Sequence, residues 1–127
     1  MKPEVQKAID EIQAAHTDAP LTIRKDGEGG AYVILDAVDP GPIYRQRVTW
    51  IGFRITFQYP YSDTYPHYVR GDLARVDGRA LGEATSPTTF EGRPAIQISR
   101  RSNHINPRTD TALIKLQKVL TWLATRQ

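Results

Sequence analysis

The chain has 127 residues, a length that fits a single domain over residues 1–127 with a hydrophobic core of its own. It has no cysteine, which excludes disulfides, thiolate zinc sites and thiol catalysis by the chain as written, and its three scattered histidines give little support to any other metal site. The formal net charge is +3 and the pI is near 9.3, a smaller basic excess than is expected of a dedicated nucleic-acid-binding protein. A basic patch that binds an acidic protein explains this charge equally well.

The sequence predicts a soluble, cytoplasmic protein with no membrane partner. It has no run of about 18 apolar residues, the length that a membrane-spanning helix needs. Residues 1–16 are polar and periodic and lack the continuous apolar stretch of a signal peptide. Glycine-rich nucleotide loops, serine-hydrolase motifs and histidine–glutamate zinc motifs do not occur, so we expect no cofactor and no metal.

An amphipathic helix is predicted at the start of the chain, from about Pro3 to His16. Val5, Ile9 and Ile12 recur at spacings of four and three residues, as apolar residues do on one face of a helix. Pro3 suits a first helical turn, because the N–H that it lacks would have no partner there. We expect the apolar face to pack against the rest of the domain.

Strand signals follow this helix. Residues 21–23 begin a strand, residues 25–30 form a turn, and residues 31–38 form a second, apolar strand that the following Asp-Pro-Gly-Pro ends. The longest β signal extends over residues 48–59, where apolar and polar residues alternate from Phe53 onward, as in a half-buried strand. Phe53 and its neighbours at the same spacing, Ile55 or Phe57, are expected to be buried.

The middle of the chain has weaker signals. Residues 59–68 contain two prolines and four tyrosines, which favours an ordered aromatic loop over a central strand. Residues 69–89 have few large apolar side chains and are expected to be mostly irregular. Residues 95–99 alternate apolar and polar side chains and predict a short strand.

A second amphipathic helix is predicted from about Thr109 to Ala124. Thr109 or Asp110 is expected to cap it, since a side-chain oxygen at that position accepts a hydrogen bond from the first helical turn. Its apolar face is expected to bury Leu116, Leu120 and Leu123. The fold class is therefore α+β, with an N-terminal helix, a meander of about four antiparallel strands and a C-terminal helix.

Two local features in the first half of the chain recur in a known family. Gly41-Pro42 follows the second strand, and the run of residues 53–60, Phe-Arg-Ile-Thr-Phe-Gln-Tyr-Pro, leads to Tyr65-Pro66. Ubiquitin-conjugating (UBC) enzymes have a similar Gly-Pro at the end of that strand. They also have an apolar strand that leads to two prolines, although their prolines are four residues apart and not six.

A third feature lies near the C-terminal helix. Gly92 lies three residues before Ala95, Pro107 lies twelve residues after it, and an amphipathic helix follows. These separations resemble those that flank the catalytic cysteine of the UBC family. Taken in order, the three features resemble the UBC fold over nearly the whole chain, in the divergent bacterial branch that occurs in ubiquitin-like modification and antiphage-defence gene sets.

The resemblance implies a function and its partners. A UBC enzyme accepts a ubiquitin-like modifier from an activating enzyme as a cysteine thioester and transfers it to an amine. Ala95 occupies the position of that cysteine. One hypothesis is that this chain is an inactive Cys-to-Ala form of a conjugating transferase. The alternative is a natural non-catalytic UBC-like module that binds a ubiquitin-like protein or its activating enzyme.

The resemblance also implies candidate site residues. The family's His-Pro-Asn triplet would fall at residues 85–87, where it is missing, so Asn103 and His104 become the candidates for stabilising the oxyanion and accepting a proton. Their plainer interpretation is as loop-capping residues.

Four arginines near the presumed site are candidates for binding the modifier or another acidic partner, and the alternative is a solvated face; they are Arg93, Arg100, Arg101 and Arg108. Nucleic acid is the less favoured partner, because arginines and aromatic residues do not alternate along the chain as they do in an RNA-binding sheet.

Overall fold

The computed structural model describes residues 1–126 and consists of two helices and one sheet. Helix α1 is Pro3–Ala15 and helix α2 is Ala112–Thr125. The strands between them are β1 (Leu21–Lys25), β2 (Ala31–Val38), β3 (Thr49–Ile55), β4 (His67–Arg70), β5 (Thr85–Phe90) and β6 (Arg93–Ile98). They form a sheet in the order β1-β2-β3-β4-β6-β5, in which every neighbouring pair is antiparallel.

The α+β class, the two terminal helices and the antiparallel sheet are confirmed, but the predicted strand count is wrong. The sheet has six strands instead of about four, because two strands were missed: β4 spans the end of the predicted aromatic loop and the start of the segment expected to be irregular, and β5 lies within that segment. Four of the six residues of β5 are exposed and only Phe90 is buried, so this edge strand shows no apolar alternation. Pro87 fits there, since an edge strand leaves N–H positions that need no partner.

The hydrophobic core lies between one face of the sheet and the two helices. Val33, Ile51 and Phe53 on this face are fully buried, and they belong to one cluster with Ile12 of α1 and Leu116 of α2. Burying one such side chain contributes about 1.5–3 kcal/mol, so this layer is a main source of stability. Of residues 1–126, no helix is long and apolar enough to cross a membrane.

The predicted core is confirmed at most positions. Leu116, Leu123, Phe53 and Ile55 are buried, whereas Leu120 is only half-buried. Phe57 is 47% exposed, because β3 ends at Ile55 and the chain turns away from the core immediately after it.

The predicted cap of the last helix is wrong by one or two residues. Thr111 is the N-cap, and its Oγ1 accepts a hydrogen bond of 3.1 Å from the backbone N–H of Ile114. Asp110 instead accepts a hydrogen bond of 2.8 Å from the backbone N–H of Asn106, and Thr109 donates its own N–H to the Asn106 carbonyl. A turn therefore holds these two residues outside the helix.

The other face of the sheet, the outer face, carries a small aromatic cluster. The ring of Phe90 stacks on Tyr68 at a centroid distance of 4.4 Å and lies 6.2 Å from the rings of both Trp50 and Tyr32. A Cβ atom at Gly52 would lie 2.5 Å from this ring, so the glycine allows Phe90 to approach the backbone of β3. The tip of the β5–β6 hairpin therefore covers the middle of the outer face.

Candidate functional site

A cavity of about 290 Å³ lies beside helix α2. Its walls come from the aromatic loop at residues 59–64, from the loop at residues 100–105 and from the first turns of α2. Tyr59 joins two of these walls, because its hydroxyl oxygen accepts a hydrogen bond of 3.1 Å from the backbone N–H of Ala112. Burial raises the pKa of Tyr59, so the phenol stays protonated at neutral pH.

A polar bridge joins the same three walls at the edge of the cavity. The Nζ of Lys115 donates to Asp63 Oδ2 at 3.0 Å and to Ser102 Oγ at 2.7 Å. Asp63 Oδ2 also accepts the backbone N–H of Ser102 at 2.7 Å. The side chains of Lys115 and Asp63 are only 11% and 14% exposed, which reduces solvent screening of their attraction. The bridge therefore fixes the loop that carries Ser102 against the helix.

A buried histidine lies next to this bridge. His67 is fully buried, its ring centroid lies 5.0 Å from that of Phe53, and neither ring nitrogen has a hydrogen-bond partner among residues 1–126. Burial, and to a smaller extent the positive charge of Lys115, lower the pKa of His67 from 6.5 to about 3, and the carboxylate of Asp63 opposes this shift. The imidazole is therefore neutral at physiological pH.

The structure gathers part of the predicted site at the cavity. Arg100, Arg101, Asn103 and His104 all line it, on the loop that leads into α2. Arg108 lies further along this loop and does not line the cavity; it is exposed and its backbone N–H donates to Asn106 Oδ1 at 3.0 Å.

Ala95 lies elsewhere. It is in the middle of β6, paired with Arg70 of β4 on one side and Thr88 of β5 on the other. It is 2% exposed and belongs to the outer-face cluster with Ile34 and Phe90. The structure therefore separates Ala95 from the cavity, which lies on the helical side of the sheet.

Arg93 also belongs to the outer face. Its guanidinium group lies 3.3 Å from Asp36 Oδ1 and 5.3 Å from the centroid of the Trp50 ring. Of the four predicted binding arginines, only Arg100 and Arg101 reach the cavity.

The arginines of the outer face are neutralised by carboxylates. Their ion pairs are Arg24–Glu91 at 2.8 Å, Arg54–Asp26 at 2.9 Å, Arg70–Asp72 at 2.5 Å and Arg93–Asp36 at 3.3 Å. The hydrogen bond from Arg70 lowers the pKa of Asp72, which therefore stays ionised well below neutral pH. Three arginines of this face also lie over aromatic rings, Arg24 and Arg54 over Tyr32 and Arg93 over Trp50, but the ion pairs leave little excess positive charge there.

The cations at the cavity are different. Within residues 1–126, the charged groups of Arg100, Arg101 and Lys118 have no carboxylate within 4.0 Å. Arg101 lies 4.5 Å from the centroid of Tyr65, and Arg100 lies 5.2 Å from that of Trp122. We call these three residues the cationic rim. Stacking on aromatic rings holds the two guanidinium groups in place while leaving their N–H donors available.

The sequence did not reveal the polar bridge. Asp63 and Lys115 are 52 residues apart, and no spacing rule relates such distant positions.

The described part of the chain has no group of three or more side chains that would hold a metal ion. Ser102 Oγ accepts a hydrogen bond of 2.7 Å from the Nζ of Lys115. Binding of an anion is the chemistry that this arrangement favours.

No family model, curated protein or solved structure matches the chain, so its own residues and their geometry carry the functional argument.

Proposed function

We propose that the chain is a non-catalytic UBC-like module that binds a ubiquitin-like protein through the cationic rim of the α2 cavity. The observation that carries this proposal is the contrast between the two sides of the sheet. The arginines of the outer face are paired with carboxylates, whereas Arg100, Arg101 and Lys118 are not. A surface with unpaired cations attracts an acidic partner and speeds its association.

The order of the elements supports the UBC part of the proposal. The chain runs from a helix through three sequential antiparallel strands to a loop rich in proline and tyrosine, and then through three further antiparallel strands to a second helix. The two helices, the antiparallel strands and the strand that leads into the proline loop agree with what the resemblance implies, whereas the number of strands differs. The aromatic loop also packs beside α2, where Tyr59 accepts the N–H of Ala112.

The position of Ala95 favours a binding module over an inactive thioester carrier. A nucleophile must reach the carbonyl carbon of a modifier held by another protein. Ala95 is 2% exposed between two paired strands, and Phe90 packs in the same cluster. Asn103 and His104 line the cavity on the other side of the sheet, so they are poorly placed to assist chemistry at residue 95.

A titration monitored by NMR tests this proposal. The isotopically labelled chain is titrated with ubiquitin as the probe, and we expect shifts at residues 100–105 and 115–122. Replacing Arg100 and Arg101 together by glutamate should abolish binding. The matched control is Arg47→Glu, which makes the same kind of charge reversal at an exposed residue outside the cavity.

Three results would contradict the proposal. The first is an absence of shifts at millimolar ubiquitin, and the second is a set of shifts confined to the outer face. The third is tighter binding of a nucleic-acid oligomer with a steep salt dependence, which would favour a nucleic-acid-associated domain.

A further inference from the structure

We propose that the α2 cavity binds the free C-terminal carboxylate of an extended peptide chain, with Ser102, Arg100 and Arg101 as its donors. This inference rests on the proposed function and names the chemical group that is recognised there. It assigns the cavity, Ser102 and the two arginines of the cationic rim to the chain end of the partner.

The first step concerns the hydroxyl of Ser102. The Nζ of Lys115 lies 2.7 Å from its Oγ. An ammonium group only donates hydrogen bonds, so the serine oxygen is the acceptor in this contact. The hydroxyl hydrogen is then left to donate to another group, and Ser102 lines the cavity. Lys115 in this way orients a neutral donor towards an incoming anion.

The second step concerns the charges around that donor. The two carboxylates of the cavity wall are already engaged: Asp63 accepts from Lys115 and from the backbone of Ser102, and Asp110 accepts the N–H of Asn106 at 2.8 Å. The guanidinium groups of Arg100 and Arg101 have no such partner in the described chain. A bound anion would therefore find the positive charge of Arg100 and Arg101 without a carboxylate partner, while Asp110, which is bonded only to a neutral N–H, would oppose the anion in part.

The third step concerns shape. A cavity of about 290 Å³ is far smaller than a folded domain, so it admits a chain end but not a domain. Ile105, Val119 and Trp122 supply apolar wall next to the donors. This combination suits an anion at the end of an uncharged backbone. A carboxylate is planar, as is the fork of a guanidinium group, and the two can pair through two parallel hydrogen bonds.

Isothermal titration with synthetic peptides tests the inference. The probes are a hexapeptide that ends in glycine with a free carboxylate, the same peptide as its C-terminal amide, and inorganic phosphate. We expect the free acid to bind at least about tenfold more tightly than the amide, because only the acid offers the guanidinium groups a charged acceptor and charge-assisted hydrogen bonds are stronger than neutral ones. Phosphate should bind more weakly than the free acid, because it makes no contact with the apolar wall.

Two variants and one control locate the binding. Arg101→Gln and Ser102→Ala should each weaken binding of the free-acid peptide by about tenfold and leave binding of the amide peptide unchanged. Arg101 is exposed and outside the polar bridge, so its replacement tests the site without disturbing the fold. Arg108→Gln removes the same charge from the same loop but outside the cavity, and should have little effect.

The outcomes separate this inference from the proposed function. The inference is overturned if the chain binds the free acid and the amide equally well and also binds ubiquitin with and without its C-terminal glycines equally well. The proposal that ubiquitin docks on the chain would still stand in that case. Tighter binding of phosphate than of the free acid also overturns it. If the free acid binds with the expected dependence on Arg101 and ubiquitin produces no shifts, the carboxylate site stands and the proposed partner is wrong.

Discussion

The Nζ of Lys115 lies 2.7 Å from the Oγ of Ser102 and 3.0 Å from Oδ2 of Asp63, so that one lysine of helix α2 joins two loops distant in the sequence. The cavity depends on this contact, because both loops supply its walls. The stability of the protein and the shape of the site are therefore linked through one side chain.

Replacing Lys115 by methionine should lower the free energy of unfolding by about 1–3 kcal/mol, because it leaves the mostly buried carboxylate of Asp63 without its counter-ion. The measurement is urea denaturation at pH 7. The control is Lys118→Met, which removes the same charge from an exposed position of the same helix and should change stability by less than about 0.5 kcal/mol. Equal losses of unfolding free energy in the two variants would show that the bridge contributes no more to stability than an exposed lysine does.

Ala95→Cys should give a thiol that reacts slowly. Residue 95 is 2% exposed in the middle of a paired strand, so a reagent reaches it only when the strand opens locally. Its reaction with a coloured disulfide reagent should therefore be on the order of 100-fold slower than that of Ser86→Cys, because Ser86 is exposed on β5. Denaturant should remove the difference.

The same variant should form no reducible adduct when it is incubated with an activating enzyme, its ubiquitin-like modifier and ATP. An adduct sensitive to dithiothreitol, with the Ala95 protein as control, would favour the inactive form of a conjugating transferase over the binding module.

Two leucines of α2 should differ in their contribution to stability. Leu116 is fully buried, so Leu116→Ala should lower the free energy of unfolding by about 2–5 kcal/mol. Leu120→Ala should lower it clearly less, because Leu120 is only half-buried. Equilibrium denaturation of both variants measures the difference. A larger loss for Leu120→Ala would mean that α2 faces the sheet with a different side.

The pH dependence of stability should reveal His67. Its pKa is about 3 in the folded protein and 6.5 when it is exposed, so the unfolded chain binds a proton that the folded chain does not accept in this interval. Stability should therefore fall as the pH decreases from about 6.5 towards 3, by at most about 1.4 kcal/mol per pH unit from this group. Loss from carboxylates such as Asp72 comes at lower pH, because its pKa is already lowered.

A leucine at position 67 should flatten this part of the profile, since it removes the titrating group. Urea denaturation at pH 7, 6 and 5 makes the comparison, and His104→Gln serves as the control because His104 is exposed. An unchanged slope in His67→Leu would mean that His67 takes up its proton in the folded protein.

The elements that were predicted well share one property. Val5, Ile9 and Ile12 all face the core, and the strand predicted over residues 31–38 is β2 as observed. In both cases the burial follows a local period, which a single sequence displays. β5 was missed because it lies at the edge of the sheet, and its stability comes from pairing with β6 rather than from apolar alternation.

The candidate site was predicted only in part. Arg100, Arg101, Asn103 and His104 are close in sequence, and they do line one cavity. Ala95 is only a few residues away, but residues of a strand alternate between the two faces of the sheet, and the side chain of Ala95 falls on the outer one.

The sequence by itself determined the class of the fold, since two apolar stripes of helical period and the strand patterns between them allow few other arrangements. Only the tertiary structure decided which cations are free. Arg24 and Glu91 are 67 residues apart and form an ion pair, whereas Arg100 and Arg101 have no carboxylate partner in the described chain. The physical reason is that electrostatic pairing depends on distance in space, and that distance is set by how the sheet and helices pack together.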